Sequence, residues 1–203
     1  MNNRTGIVIL IILLLNVLLT FGFEWHFSKP PLKQEMILSS KSEQIFDIYI
    51  PMHQTYYVEI VFARENKSFE YLQDTLGPMI YPDRQGLPLK LNWQLLKNGS
   101  VIQSESILST DSCGWSYTSV YRCFGKLNHS PGTYQFKVKV SEASSELAKF
   151  NTTINISYDL KSGDTWQTTY MSLSMLFNIT LAPVIGGIVV LIFLVRFIRY
   201  ITP

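Results

Sequence analysis

The chain has 203 residues, of which 47% are hydrophobic and only 16% charged, which leaves room for one domain of about 100–150 residues plus membrane segments. All 15 acidic residues and 14 of the 17 basic ones lie between Glu24 and Asp164, so the centre is near neutral. The remaining Arg4, Arg196 and Arg199 flank apolar ends. The overall charge of +2 is therefore a topology signal, and it excludes the clustered basic face that nucleic-acid binding requires.

Thr5 to Phe23 carries no charge, and Ile7 to Leu19 is nearly all Ile, Leu and Val. That length approaches the roughly 20 residues that cross a bilayer as a helix. A cleavable signal peptide has the same ingredients. The sequence Thr20-Phe21-Gly22 is a weak small-x-small cut site, which favours an uncleaved anchor over residues 1–23. Residues 24–42 read as a linker.

Strand periodicity begins next. Phe46, Ile48 and Ile50 alternate with polar neighbours until Pro51, and Tyr56, Val58, Ile60 and Phe62 repeat the period. Between Arg64 and Leu76 the spacing turns helical through Phe69, Leu72 and Leu76, and Gly77 offers a cap. Leu87, Leu89, Leu91, Trp93 and Leu95 form the longest alternation. Asn98-Gly99 supplies a hairpin turn, and Val101 to Ile107 returns as its second arm. Tyr117 to Cys123 is a weaker strand. Pro131-Gly132 turns into Tyr134, Phe136, Val138 and Val140, and Ile154, Ile156 and Tyr158 close the series. About seven strands with turns between them predict an antiparallel β-sandwich over residues 43–158 with a short helical insertion.

Residues 159–172 read as a second linker and 173–198 as a transmembrane helix, leaving 199–203 as a tail. No charge occurs from Thr165 to Val195, and Arg196 and Arg199 follow, as on the cytoplasmic side of a span. Ala182 and Gly186 have the small-xxx-small spacing of close helix contacts, although Gly and Pro are also common in membrane helices generally. With Arg4 read in the same way, both termini face the cytosol and the sandwich lies outside. The alternative is a single-pass protein with a cleaved leader.

The order of features is similar to an uncharacterised family of small bacterial envelope proteins. The residues that carry the likeness are the Arg64–Leu72 stretch, Leu76-Gly77, Gly86-Leu87-Pro88-Leu89, the Asn98-Gly99 hairpin, Ser112-Cys113-Gly114-Trp115 and Pro131-Gly132-Thr133-Tyr134. The resemblance covers residues 40–158 and implies one β-sandwich behind an N-terminal apolar segment. It implies no activity and no functional residues. The C-terminal span departs from it. On this reading the chain sits in the inner membrane with its outer domain in the periplasm.

Cys113 and Cys123, ten positions apart, show no CxxC pattern. In an oxidising compartment they close a local loop; otherwise they are two buried thiols. Asn66, Asn98, Asn128, Asn151 and Asn155 begin Asn-x-Ser/Thr sequons, as do Asn3 and Asn178. In a eukaryotic secretory pathway the first five would be glycan acceptors, but the bacterial reading is preferred here.

Catalytic patterns are missing. His26, His53 and His129 have no metal-ligand spacing, no nucleophile elbow or phosphate loop occurs, and Asp74 and Asp83 read as solvated turn residues. The chain is expected to be no enzyme and to hold no cofactor or metal. Trp115, Tyr117 and Tyr121 beside the cysteines are candidates for a partner-binding surface, since Trp and Tyr dominate binding hot spots; alternatively, alternate members fill the core. Tyr81, Pro82, Asp83 and Arg84 form a second candidate loop, with Tyr81 and Arg84 as its contact residues. The expected function is an anchored module binding a protein partner, one form being immunity against an envelope-targeting toxin. An assembly subunit acting through its spans is the alternative, and a hydrolase centred on His53 or His129 comes last.

Overall fold

The structure, a computed structural model, describes residues 3–78, 84–158 and 165–201. The chain divides into two compact units, one over Pro30–Tyr158 and one formed by the two terminal segments.

The first unit is an antiparallel sandwich with nine strands among the described residues. They are β1 (Leu32–Glu35), β2 (Glu43–Ile50), β3 (Gln54–Ala63), β4 (Leu89–Lys97), β5 (Ser100–Ser109), β6 (Gly114–Trp115), β7 (Ser119–His129), β8 (Gly132–Ala143) and β9 (Thr152–Ser157). One sheet has the order β1-β9-β3-β7-β6 and the other β2-β8-β4-β5. The expected alternations sort residues between core and surface. Tyr56, Val58, Ile60 and Phe62 point inward from β3, Leu89, Leu91, Trp93 and Leu95 from β4, and Tyr134, Phe136, Val138 and Val140 from β8. The Trp93 indole N–H donates to the Phe124 carbonyl at 2.6 Å, satisfying the polar atom of a large buried side chain.

A short helix (Phe69–Leu76) separates β3 from β4. The Ser68 hydroxyl caps it by accepting from the Tyr71 N–H at 3.3 Å, and Leu72 and Leu76 seal it onto the core. Gly77, with φ of 101°, ends it.

Residues 24–42 are not the linker that their composition suggests. An N-terminal helix runs to Phe27, and β1 then pairs with β9. Leu32, Met36 and Leu38 are core residues, and the Thr152 hydroxyl donates to the Met36 carbonyl at 2.5 Å. These apolar positions are too sparse to register as an alternation. In the second linker, 159–164 lie outside the described residues, and helix begins by Trp166.

The second unit holds α1 (Asn3–Phe27) and α3 (Trp166–Ile201), the Phe69–Leu76 helix being α2. Both are long and apolar enough to cross a membrane. At 36 residues, α3 extends about 54 Å, well beyond a hydrocarbon core of about 30 Å. Phe23 packs against Trp166 and Tyr170 with ring centroids 6.2 and 5.3 Å apart. Such aromatic rings favour the membrane–water interface. Arg4, Arg196 and Arg199 lie toward the opposite helix ends.

Candidate functional site

The candidate site is the hairpin from Cys113 to Cys123. The two cysteines are disulfide-bonded, with Cα atoms 5.7 Å apart. The Cys113 N–H donates to the Tyr121 carbonyl at 2.8 Å, continuing the β6–β7 ladder. At the tip, the Ser116 N–H donates to the Ser119 carbonyl at 2.7 Å, and the Ser116 hydroxyl accepts from the Thr118 and Ser119 N–H groups at 3.3 and 3.1 Å. This is the local side-chain turn that Ser favours. Arg64, just past β3, ties the tip to the sheet. Its guanidinium donates to the Ser116 carbonyl at 3.1 Å and its backbone N–H to the Thr118 carbonyl at 2.9 Å.

None of the three aromatic candidates fills the core. Tyr117, at the constrained tip, is 92% exposed and Trp115 is 48% exposed, while Tyr121 is half-buried. The register sets Trp115 opposite Val120, and Tyr121 opposite Gly114. Directly paired residues share a face of a sheet, so Trp115 and Tyr121 lie on different faces of this edge. The three do not form one patch; Trp115 and Tyr117 are the candidates that this edge leaves exposed.

The second candidate loop is only partly described. Tyr81, Pro82 and Asp83 lie outside the described residues. Arg84 forms an exposed ion pair with Asp74 at 2.7 Å, a type of contact that contributes little stability.

The sequence reading missed Arg122. It alternates inward from β7 between Val120 and Phe124 and is fully buried. One guanidinium nitrogen donates to the Leu87 and Ser109 carbonyls, both at 2.9 Å. The Nε and the other terminal nitrogen have no hydrogen-bond partner among the described residues. Burial pushes the guanidinium down to about 10, opposed by the nearby Asp111 carboxylate. The side chain thus pins the approach to β4 and the end of β5 to the strand that carries the disulfide. The same junction is packed backbone to backbone: a Cβ on Gly77 would lie 2.8 Å from the Asp111 Cα.

No metal chemistry arises beside the disulfide. The Glu59 carboxylate and the two sulfurs lie within 4.8 Å of one another, but the sulfurs are bonded together, leaving no thiolate to bind an ion. Glu59 instead accepts from the Asn155 amide at 3.0 Å and the Ser157 hydroxyl at 3.2 Å. Of the sequons, Asn66, Asn98, Asn128 and Asn151 are exposed and Asn155 is half-buried. The Asn151 amide donates to Glu65 at 2.8 Å. His129 contacts the Gln103 side chain at 2.8 Å. Its pKa is lowered by burial first, then by His53 and Lys97.

A family model described as a domain of unknown function, DUF5625, matches residues 37–158. No curated protein matches the chain. The crystal structure of a protein from Sulfurospirillum deleyianum is similar at 14% identity and a TM-score of 0.46, over 64% of this chain and 98% of that one.

Proposed function

We propose that this chain, which belongs to the DUF5625 family, is a membrane-anchored module that binds a protein partner outside the cytosol through the tip of its Cys113–Cys123 hairpin. The observation that carries the reading is the contrast between restraint and exposure. A disulfide at the base, Arg64 at the side and Ser116 at the tip immobilise the turn, yet Tyr117 stays 92% exposed. A folded domain gains little from ordering an aromatic side chain that touches almost nothing. A binding surface gains a great deal, because a turn whose backbone is already fixed spares the partner complex the entropy of ordering that backbone.

The apolar terminal helices serve as the anchor, and the arginines at their ends support a cytosolic side for both termini under the positive-inside rule. In a bacterial envelope the sandwich then faces the periplasm. Immunity against a toxin delivered there is one form of this role. A small tethered domain with a rigid contact edge suits that role. The competing role, a subunit assembled through its spans, is motivated by the Ala182–Gly187 region. Gly186 already faces Leu13 within this chain, 3.8 Å from where its Cβ would be.

The test is crosslinking of the tagged full-length protein in its native membrane, followed by mass spectrometry of what co-purifies. One dominant partner, reduced at least tenfold by Trp115→Ala with Tyr117→Ala at unchanged folding, supports the reading. Capture that survives the double substitution sinks the hairpin as the contact. A set of membrane subunits crosslinked only through α1 and α3 returns the assembly role.

A further inference from the structure

α1 carries one strongly polar residue amid its apolar run, Asn16, and one hydroxyl a turn later, Thr20. α3 carries Ser174 and Asn178 with the same spacing. The four side chains meet. The Asn16 amide donates to the Asn178 side-chain oxygen at 2.7 Å, and the Thr20 and Ser174 hydroxyls lie 2.6 Å apart. The Asn178 amide donates to the Thr20 hydroxyl at 3.1 Å, and the Ser174 hydroxyl to the Asn16 side-chain oxygen at 3.3 Å. The Thr20 hydroxyl also reaches the Asn16 backbone carbonyl at 2.8 Å. Thr20 and Ser174 are only 5% and 6% exposed, although most of both helix surfaces is bare.

The register has a direction. A step of four along α1, from Asn16 to Thr20, matches a step of four backward along α3, from Asn178 to Ser174. One turn further on, Phe23 meets Tyr170 at 5.3 Å. Leu13, on the other side of Asn16, lies against Gly186, which has no side chain to hold the helices apart. The two helices therefore meet as an antiparallel pair along one continuous seam.

We infer that α1 and α3 form one antiparallel helical pair clamped by Asn16, Thr20, Ser174 and Asn178, and that α1 is a permanent membrane helix whose partner is α3 of the same chain. The inference rests on the reading of both helices as membrane spans. In hydrocarbon an amide has no water to turn to, so each asparagine needs a protein partner. Each finds it in the other. A leader removed at secretion would leave the Asn178 amide facing lipid without its partners on α1.

The experiment uses the full-length chain with Leu13→Cys and Gly186→Cys, oxidised in isolated membranes; the native Cys113 and Cys123 are already bonded to each other. The expected product is an internally crosslinked monomer whose intact mass retains α1. Adding Asn16→Leu and Asn178→Leu should cut its yield about threefold or more, given the worth of one or two interhelical hydrogen bonds. A membrane-bound chain that has lost α1 would overturn the inference while leaving the membrane reading intact. Covalent dimers in place of the monomer would also overturn it, by assigning the seam to two chains. An unchanged yield after the asparagine substitutions would remove the clamp. Release of the chain by alkaline carbonate would overturn the membrane reading itself.

Discussion

Joint replacement of Cys113 and Cys123 by serine should separate the two ways in which the hairpin can be held. The bond closes a loop of 10 positions. Restoring that loop's freedom to the unfolded chain costs the native state about 3 kcal/mol. The full loss appears only if the native hairpin stays ordered without the bond, because a hairpin that frays regains the same entropy when folded. Here the tip has independent restraints in Arg64 and Ser116, and its base keeps the Cys113–Tyr121 backbone bond. The hairpin should therefore stay ordered. The β-unit carries its own core, drawn from residues 32–156, so urea unfolding followed by tryptophan fluorescence reads it directly. With a urea slope of about 1–3 kcal/mol/M, the midpoint should fall by about 1–3 M. A midpoint within about 0.3 M of the parent would refute the reasoning, since the bond would then constrain nothing that the unfolded chain regains.

Arg122→Ala should destabilise the sandwich by about 3–5 kcal/mol, since it opens a cavity and strips the donor from two partly buried carbonyls. Arg122→Met keeps most of the volume and removes a desolvated charge, so it should cost about half as much; equal losses in urea melts would contradict the role of burial. Gly125→Ala should cost about 2–4 kcal/mol, because Gly125 has φ of 111° and an added Cβ would meet the Glu105 carboxylate and lie 3.1 Å from the Trp93 ring. A neutral Gly125→Ala substitution would mean that the strand passes Glu105 by another path. The depressed pKa of His129 makes its folded state take up fewer protons than the unfolded chain, whose value is 6.5. Stability linked to it is present above pH 6.5 and is lost as the pH falls through the depressed folded value; His129→Gln should flatten that slope in melts at pH 5 and pH 7.5.

What could be read from the sequence, and what could not, follows from how residues declare themselves. β3, β4 and β8 bury one face each, so their inward residues recur at a period of two and were legible at once. β7 was not, because the strand changes parity. Val120, Arg122 and Phe124 point inward, and then Leu127 does. The slip falls where Tyr57 pairs with Lys126 but Glu59 pairs with Cys123, leaving Phe124 and Gly125 opposite Val58 alone. A bulge of this kind inserts one residue and exchanges the faces beyond it. No fixed period survives it, and Arg122, a cation at an inward position, does not declare itself as core. The aromatic hairpin was visible as composition, but the division of Trp115 and Tyr121 between faces is a property of pairing, which sequence spacing does not carry. The membrane seam was hidden for a related reason. Asn16 and Asn178 lie 162 positions apart in separate apolar runs, and only their antiparallel register makes them one feature. The two features of this chain most open to experiment, the restrained hairpin and the polar clamp, are thus both products of contacts between segments that a period search reads separately.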